Sequence, residues 1–429
     1  MADSTPNRLR NTLIYQVYTR NHTVEGTFNA LKDDLPRIKS LGTDIVYLLP
    51  INSIGKKQRK GTLGSPYAIK DYYAINEELG TLEDFKSLIK AIHQEGMRVM
   101  LDIVFNHTSP DSKLLHSHPH YFYKENGQFT NRIGDWWDIV DFDFTSDNTL
   151  YDTLTNVLLY YADLGVDGFR FDVASLLPKD FLTYAKDRVT KKHPDIIWLS
   201  ESVHGHFLRE VRNRGFDALS ESEIFEIFDM AYDYDAHPFF EDYIHGKRPL
   251  DDYVFWLNRQ EEIYPKNYVK LRNLENHDFG RIAGRLQNDA YLLKNWHAFT
   301  FFQKGATLIF SGSEASCTHH PDLFNKDTID FSGPDISQFL SRLKTITTGP
   351  LFTEGVYDVD KVKGHDVIKA AYSLNEHQVR GYFNVTKDSA NVAVDLADGP
   401  HTNQITQTVI HVENGTVKTI DMPLIIRVK

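Results

Sequence analysis

A chain of 429 residues, 41% hydrophobic and 13% aromatic, is long enough to bury a large core and to hold one big domain plus something smaller. Its 47 Lys and Arg stand against 59 Asp and Glu, a formal net charge of -12, which argues against nucleic acid as a partner and suits a neutral or cationic ligand. The single cysteine, Cys317, has no intrachain partner, the amino terminus lacks the apolar stretch of a signal peptide, and no run approaches a membrane span, so a cytoplasmic protein with no membrane association is expected.

From residue 12 the chain alternates β-rich apolar runs with amphipathic stretches, the pattern of βα units around a parallel sheet. The first strand is expected in TLIYQVYT from Thr12, followed by the helix NALKDDLPRIKSLG, which stops on Gly42. The second lies in DIVYLLP from Asp44 and the third in RVMLDIVF from Arg98, with the helix LEDFKSLIKAIHQEG between them. Residues 107–145 break the rhythm: they carry no helical period and are rich in His, Asp, Asn and aromatics, as a functional loop or small subdomain would be. The HSHPH tract within them, His116 to His120, reads as plain loop, because its Pro and Ser deny the histidines a common helical face for a metal.

The alternation then resumes with the helix LYDTLTNVLLYYADLG and the strands GFRFDV from Gly168, IIWLSE from Ile196, DALSESE from Asp217 and YVKLRNLE from Tyr268. The helix AYLLKNWHAFTFFQKG and the strand ATLIFSGSE from Ala306 complete it. Eight such strands close a (β/α)8 TIM barrel. Beyond residue 350 come VIKAAYSL, QVRGYFNV, NVAVDL, HTNQITQTVIHV and PLIIRVK, with Asp-Gly and Asn-Gly turns and no further helices, which predicts a C-terminal all-β sandwich. The expected division is a barrel over 1–106 and 146–348, an inserted subdomain over 107–145 and a sandwich over 349–429. Glycosylation sequons at Asn21, Asn106, Asn384 and Asn414 read as chance matches.

In such a barrel the carboxyl ends of the strands line the active site. The polar groups there are Asp102, Asn106 and His107 after the third strand, Arg170 and Asp172 on the fourth, Glu201 after the fifth, and Asn276, His277 and Asp278 after the seventh. A lone acid at a strand end usually caps the next helix; three acids from three strands sharing one mouth point to chemistry. Residues two apart on a strand share a face, so Arg170 and Asp172 point the same way, as do Asp102, Val104 and Asn106. The guanidinium is expected to lower the pKa of Asp172 and keep it an anion, as a nucleophile requires.

Glu201 follows the apolar IIWL and suits a general acid that keeps its proton. Two carboxyl groups flanking one bond are the apparatus of glycoside hydrolysis, and a separation of roughly 5–5.5 Å would mark retention through a covalent intermediate. Asp278 would then stabilise the positive charge that develops on the sugar. Tyr67, Tyr72, Tyr73, Trp136 and Trp137 would offer stacking faces for sugar rings, each being about as well suited to the core.

As a set these motifs resemble the alpha-amylase family, family 13 of the glycoside hydrolases. LDIVFNH looks like its first conserved region, GFRFDVAS its second, SESV its third and LENHD its fourth, in the right order. SPYAIKDYYAINEELGT, DIVDFDF and GATLIFSGSE extend the likeness across most of the chain. The resemblance implies Asp172 as nucleophile, Glu201 as general acid/base and Asp278 as transition-state stabiliser. It further implies that Arg170, His107 and His277 bind the sugar at the cleavage subsite, with Tyr67 stacked beneath it and Asp102 a structural carboxylate near Arg170. Calcium is common in the family where barrel and subdomain meet, and would take Asn106 and Asp141 among its ligands; no organic cofactor is implied.

Ser175 and Leu176 stand where many alpha-amylases carry a Lys-His pair that touches the leaving sugar, and DVAS is closer to the DVAN of neopullulanases and cyclodextrin-degrading relatives. Ala68 stands where exo-acting alpha-glucosidases often carry Asp, which favours an endo-acting or maltooligosaccharide-cleaving enzyme. The expectation is a retaining hydrolase of α-1,4-glucosidic bonds in maltooligosaccharides, dextrins or starch. The alternatives are a related glucosyltransferase, phosphorylase or α-glucosidase acting on a short sugar, and, in another class, a non-catalytic barrel that binds a protein. The sequence carries no signal for oligomeric state.

Overall fold

The computed structural model describes residues 5–133, 136–386, 391–418 and 422–428. Short apolar runs become strands that are buried on both faces, as a parallel sheet wrapped in helices demands. They are β1 (Leu13–Val17), β2 (Ile45–Leu48), β3 (Arg98–Ile103), β4 (Gly168–Phe171), β5 (Ile197–Ser200), β6 (Met230–Tyr232), β7 (Lys270–Arg272) and β8 (Ala306–Phe310). Each pairs parallel with the next, and β8 pairs with β1, so the sheet closes into the expected eight-stranded barrel.

Alternation divides the side chains cleanly. Ile14, Tyr47, Met100, Leu199, Met230, Tyr232, Leu271 and Leu308 fill the barrel interior. Leu13, Val46, Leu101, Phe169, Phe171 and Trp198 face outward and pack with the helices Phe28–Ser40, Leu82–Gln94, Thr149–Asp163 and Lys179–Lys192. Gly168 lies on the crowded inner side: a Cβ there would stand 3.0 Å from both the Ile197 carbonyl oxygen and the Met100 Cε.

Seven of the expected strands lie where the sequence pattern places them, and the sixth does not. DALSESE forms no strand, because Ser220 and Glu223 make a reciprocal capping box that starts the short helix Glu221–Ile224; the Glu223 carboxylate accepts from the Ser220 N–H at 2.8 Å. The barrel takes Met230–Tyr232 instead, whose Met230 and Tyr232 supply apolar volume to its interior. Burying such a side chain is worth about 1.5–3 kcal/mol, a gain the polar run could not supply.

The inserted segment leaves the barrel through His107–Thr108, which pairs antiparallel with Val140–Asp141 so that His107 stands opposite Asp141. Among its described residues a short α-helix forms where none is expected, Lys113–Ser117, started by Ser112 accepting from the Leu115 N–H. In the HSHPH tract His118 stacks on Tyr121 at 4.9 Å and His120 lies 3.1 Å from Asp147.

The C-terminal part is an all-β region around a four-stranded antiparallel sheet of Val356–Lys361, Val367–Leu374, His377–Asn384 and Leu424–Val428. The first of these strands and the helix Pro350–Glu354 before it are additions to the expected pattern. HTNQITQTVIHV is two strands rather than one, with Gly399–Thr402 paired to Val409–Val412. Phe383 seats the sheet on the helix Ala290–Phe302, its ring 5.4 Å from Phe299 and from Phe302. Asn21, Asn106 and Asn384 are buried, which removes them as glycosylation acceptors, and Cys317 is buried too. Among the described residues no helix is long and apolar enough to cross a membrane.

Candidate active site

The register of the barrel sets Asp102 of β3 directly beside Arg170 of β4, and Glu201 follows the end of β5 on the other side. Arg170 is fully buried. Its Nη1 donates to Asp102 Oδ1 at 2.7 Å and to Asp172 Oδ1 at 3.0 Å, while Nη2 lies 2.8 Å from Glu201 Oε2. One guanidinium therefore holds three carboxylates from three consecutive strands, two of which reach the barrel mouth.

The chain leaves β4 abruptly after Asp172. Val173 adopts a left-handed conformation, φ 37° and ψ 44°, a genuine outlier for a β-branched residue. That turn points the Val173 N–H at Glu201 Oε2, 2.7 Å away, so the strained residue fixes the second acid. It also removes Val173 from the outward face it is expected to share with Phe171, and it packs beside Leu176, Val211 and Ala218. Strand parity fails similarly after Ile103: Asp102 faces inward, Val104 joins the outer core, and Asn106 turns toward Asp141.

The electrostatics reverse one expectation. Burial first, and then the neighbouring Glu201, push the Asp172 carboxyl well above the usual carboxylate range, and the pull of Arg170 is outweighed because that cation is shared with Asp102 and Glu201. Asp172 therefore takes up a proton more readily than a free carboxylate does. A folded-state pKa above the unfolded value near 3.9 costs nothing below that pH, and the cost grows as pH rises toward the folded value. Asp172→Asn is accordingly expected to raise the melting temperature at pH 7, by about 1–2 °C for each kcal/mol recovered, with the gain vanishing near pH 4. Calorimetry across that range checks it, and a lowered melting temperature at pH 7 would contradict it.

The opposite wall comes from LENHD. Asn276 Oδ1 accepts from the N–H groups of Asp278 and Phe279 at 2.8 and 3.1 Å, a local turn that swings Asp278 out to the mouth, where its side chain is 42% exposed. His277 stays inside, with Nε2 3.2 Å from Asp278 and 2.7 Å from the Tyr67 hydroxyl. The Tyr67 hydroxyl donates to Asp102 at 2.9 Å, and the Tyr67 ring stacks on His277 at 5.6 Å. Burial, helped by Arg170, lowers His277 to about 3, and burial lowers His107 to about 4, so both imidazoles are neutral at ordinary pH.

Two partners of this cluster escape a reading of strand ends. Gln16 of β1 donates to His277 Nδ1 at 2.9 Å, and Tyr47 of β2 donates to Asp102 at 2.6 Å. Gln16 was visible as a polar residue inside the apolar run TLIYQVYT. His204, three residues beyond Glu201, stacks on Tyr234 at 5.0 Å and lies beside Phe279. Of the five aromatic candidates, Tyr67 joins the cluster and Trp136 lies 6.0 Å from His107. Trp137 is exposed under Lys60, Tyr72 is core, and Tyr73 is exposed against Tyr160. Ser175 is buried, with its carbonyl accepting from the Leu219 N–H, while Leu176 borders a cavity of about 850 Å³ shared with Tyr123, Arg212 and Phe216.

The residues that calcium would use do not fit that ion. Asn106 and Asp141 do meet, Nδ2 to Oδ1 at 3.3 Å, but Arg132 lies on them: its Nε donates to Asp141 Oδ2 at 3.0 Å and its Nη2 to Asn106 Oδ1 at 3.3 Å. Calcium needs six to eight oxygens, and among the described residues no group of three or more His, Cys, Asp or Glu could hold a metal.

Comparison with known proteins matches residues 3–348 to the alpha amylase catalytic domain and residues 358–426 to the bacterial alpha amylase C-terminal domain. A solved alpha-amylase from Lactobacillus plantarum is 42% identical, with a TM-score of 0.95, over 99% of this chain and 100% of that one. A noncanonic maltogenic alpha-amylase from Thermotoga neapolitana is 31% identical, with a TM-score of 0.87, over 98% of this chain and 99% of that one. The intracellular maltogenic amylase of Bacillus subtilis is 27% identical over 84% of this chain and 62% of its own length. The alpha-1,4-glucan:maltose-1-phosphate maltosyltransferase of Picrophilus torridus is 30% identical over 55% of this chain and 41% of its own length. The chain thus spans about two fifths to three fifths of these two curated relatives.

Proposed function

This chain belongs to the alpha-amylase family, and on that premise we propose that it hydrolyses α-1,4-glucosidic bonds in maltooligosaccharides, dextrins or starch through a covalent glycosyl-enzyme intermediate. The observation that carries the reading is the pair of carboxyl groups, Asp172 and Glu201, held by the two terminal nitrogens of one buried guanidinium. In this mechanism Glu201 carries a proton when substrate binds and Asp172 is the anion. Asp172 then attacks the anomeric carbon as the glycosidic bond breaks and Glu201 protonates the departing oxygen. In the second half Glu201 takes a proton from water, whose oxygen displaces Asp172. Asp278, exposed at the mouth, offsets the positive charge on the sugar in both halves.

The neutral histidines add hydrogen bonds without adding charge. Because Gln16 donates to His277 Nδ1, the ring proton of His277 sits on Nε2, facing Tyr67, Asp278 and the space above them. Gln16→Leu is expected to free that tautomer and lower kcat about tenfold, about 1.4 kcal/mol, with KM little changed. An unchanged kcat would show that the bond has no part in turnover.

The relatives named maltogenic support short maltooligosaccharides as substrates, and the Bacillus relative described as intracellular, together with the single buried cysteine, supports a cytoplasmic site of action. A second reading, transfer of the sugar to another acceptor, draws on the maltosyltransferase relatives, whose names state that reaction. Incubation with maltooligosaccharides, soluble starch, pullulan, cyclodextrin and sucrose, with and without phosphate, separates the two. Hydrolysis predicts α-configured reducing products that do not depend on phosphate. Initial products of inverted configuration would overturn the mechanism, and a sugar phosphate as main product would establish transfer instead.

A further inference from the structure

We propose that Arg132 is the resident cation of the junction between barrel and inserted segment, so that this chain holds that junction together without calcium. The junction is where the family resemblance leads one to expect the metal, at Asn106 beyond β3 and Asp141 at the end of the insertion. Both side chains are buried, and Asn106 Oδ1 and Asp141 Oδ2 converge on one guanidinium, that of Arg132.

The guanidinium meets those oxygens from within the chain. Nε donates to Asp141 Oδ2 at 3.0 Å, and Nη2 donates to Asn106 Oδ1 at 3.3 Å and to the Phe142 carbonyl at 3.2 Å. The Arg132 backbone N–H adds a bond to Asp141 Oδ2 at 2.9 Å. These four contacts join the strand exit at Asn106, the returning strand at Asp141 and Phe142, and the segment that carries Arg132. The fork of donors on a planar guanidinium suits such divided oxygens, which a single ammonium could not span.

Charge supports the same assignment. Asp141 and Arg132 neutralise each other, whereas a divalent ion brought to these oxygens would face the guanidinium at close range and lack the oxygens for its coordination shell. The consequence reaches the site described above, because Asn106 is the neighbour of His107, and His107 is paired to Asp141 in the short strand Arg132 supports. The arginine thereby takes over the positioning task of the ion, and the loss of metal does not loosen the mouth.

The test is independent of turnover. The purified chain is expected to contain well under one calcium per molecule by elemental analysis, and its melting temperature is expected to be the same in EDTA and in millimolar calcium chloride. Arg132→Met, similar in length and uncharged, is expected to melt lower, to be cut faster by protease within residues 107–145, and to regain part of both in millimolar calcium. Arg132→Lys, which keeps the charge and loses the fork, is expected to fall between the two. Stoichiometric calcium in the wild-type chain, a fall in its melting temperature on chelation, or an Arg132→Met chain as stable as wild type would each overturn the proposal; the first two hold even if Arg132→Met does not fold.

Discussion

Turnover of maltooligosaccharides is expected to fall by about four orders of magnitude, about 5.5 kcal/mol, in both Asp172→Asn and Glu201→Gln. The two losses arise from different steps, and a substrate with a better leaving group separates them. α-Glucosyl fluoride needs no proton on its leaving group, so Glu201→Gln is expected to retain much of its first half-reaction on that substrate. Asp172→Asn, which lacks the proposed nucleophile, is expected to lose activity on both. Near wild-type activity of either variant on maltooligosaccharides would remove these carboxyl groups from the mechanism. The stability gain expected for Asp172→Asn makes the experiment sharper, since an inactive chain that melts higher is not an unfolded one.

Arg170→Lys is expected to lower kcat by about 10³-fold, about 4 kcal/mol, while the chain still folds. The guanidinium reaches Asp102 and Asp172 through one nitrogen and Glu201 through the other, and a compact ammonium cannot hold both sides at once. The charge is kept but is no longer in contact with Asp172 and Glu201 at once, so Asp172 becomes harder to ionise and the acid limb of the kcat/KM profile is expected to move to higher pH. A purely structural role would leave that limb where it is. Arg170→Ala is a poorer test, because three buried carboxylates without a cation cost about 3–5 kcal/mol of stability and the fold itself is put at risk.

Much of this site was legible in GFRFDVAS and its companions. Alternation along a strand places Arg170 and Asp172 on one face whatever the rest of the chain does, and the run of apolar strands and Gly-ended helices closes into a barrel whose mouth lies at their carboxyl ends. The one strand misplaced, DALSESE, was missed although its S-x-x-E spacing is itself the signature of a helix start. There the local capping chemistry of Ser220 and Glu223 outweighs the position in the βα rhythm.

Other properties depend on groups that only folding brings together. The sequence pairs Arg170 with Asp172 and predicts a lowered pKa; in the folded barrel Asp102 and Glu201 share the same guanidinium, and burial drives the Asp172 pKa upward. Gln16 and His277 are 261 positions apart and meet at 2.9 Å across the barrel. Arg132 carries no motif, yet it reaches the two side chains expected to hold calcium. Periodicity is set by near neighbours on the chain, so it can be read along the chain. Ionisation, tautomer and choice of counter-ion are set by whatever charges arrive within a few ångströms in a medium of low polarity, and that is a matter of three-dimensional packing.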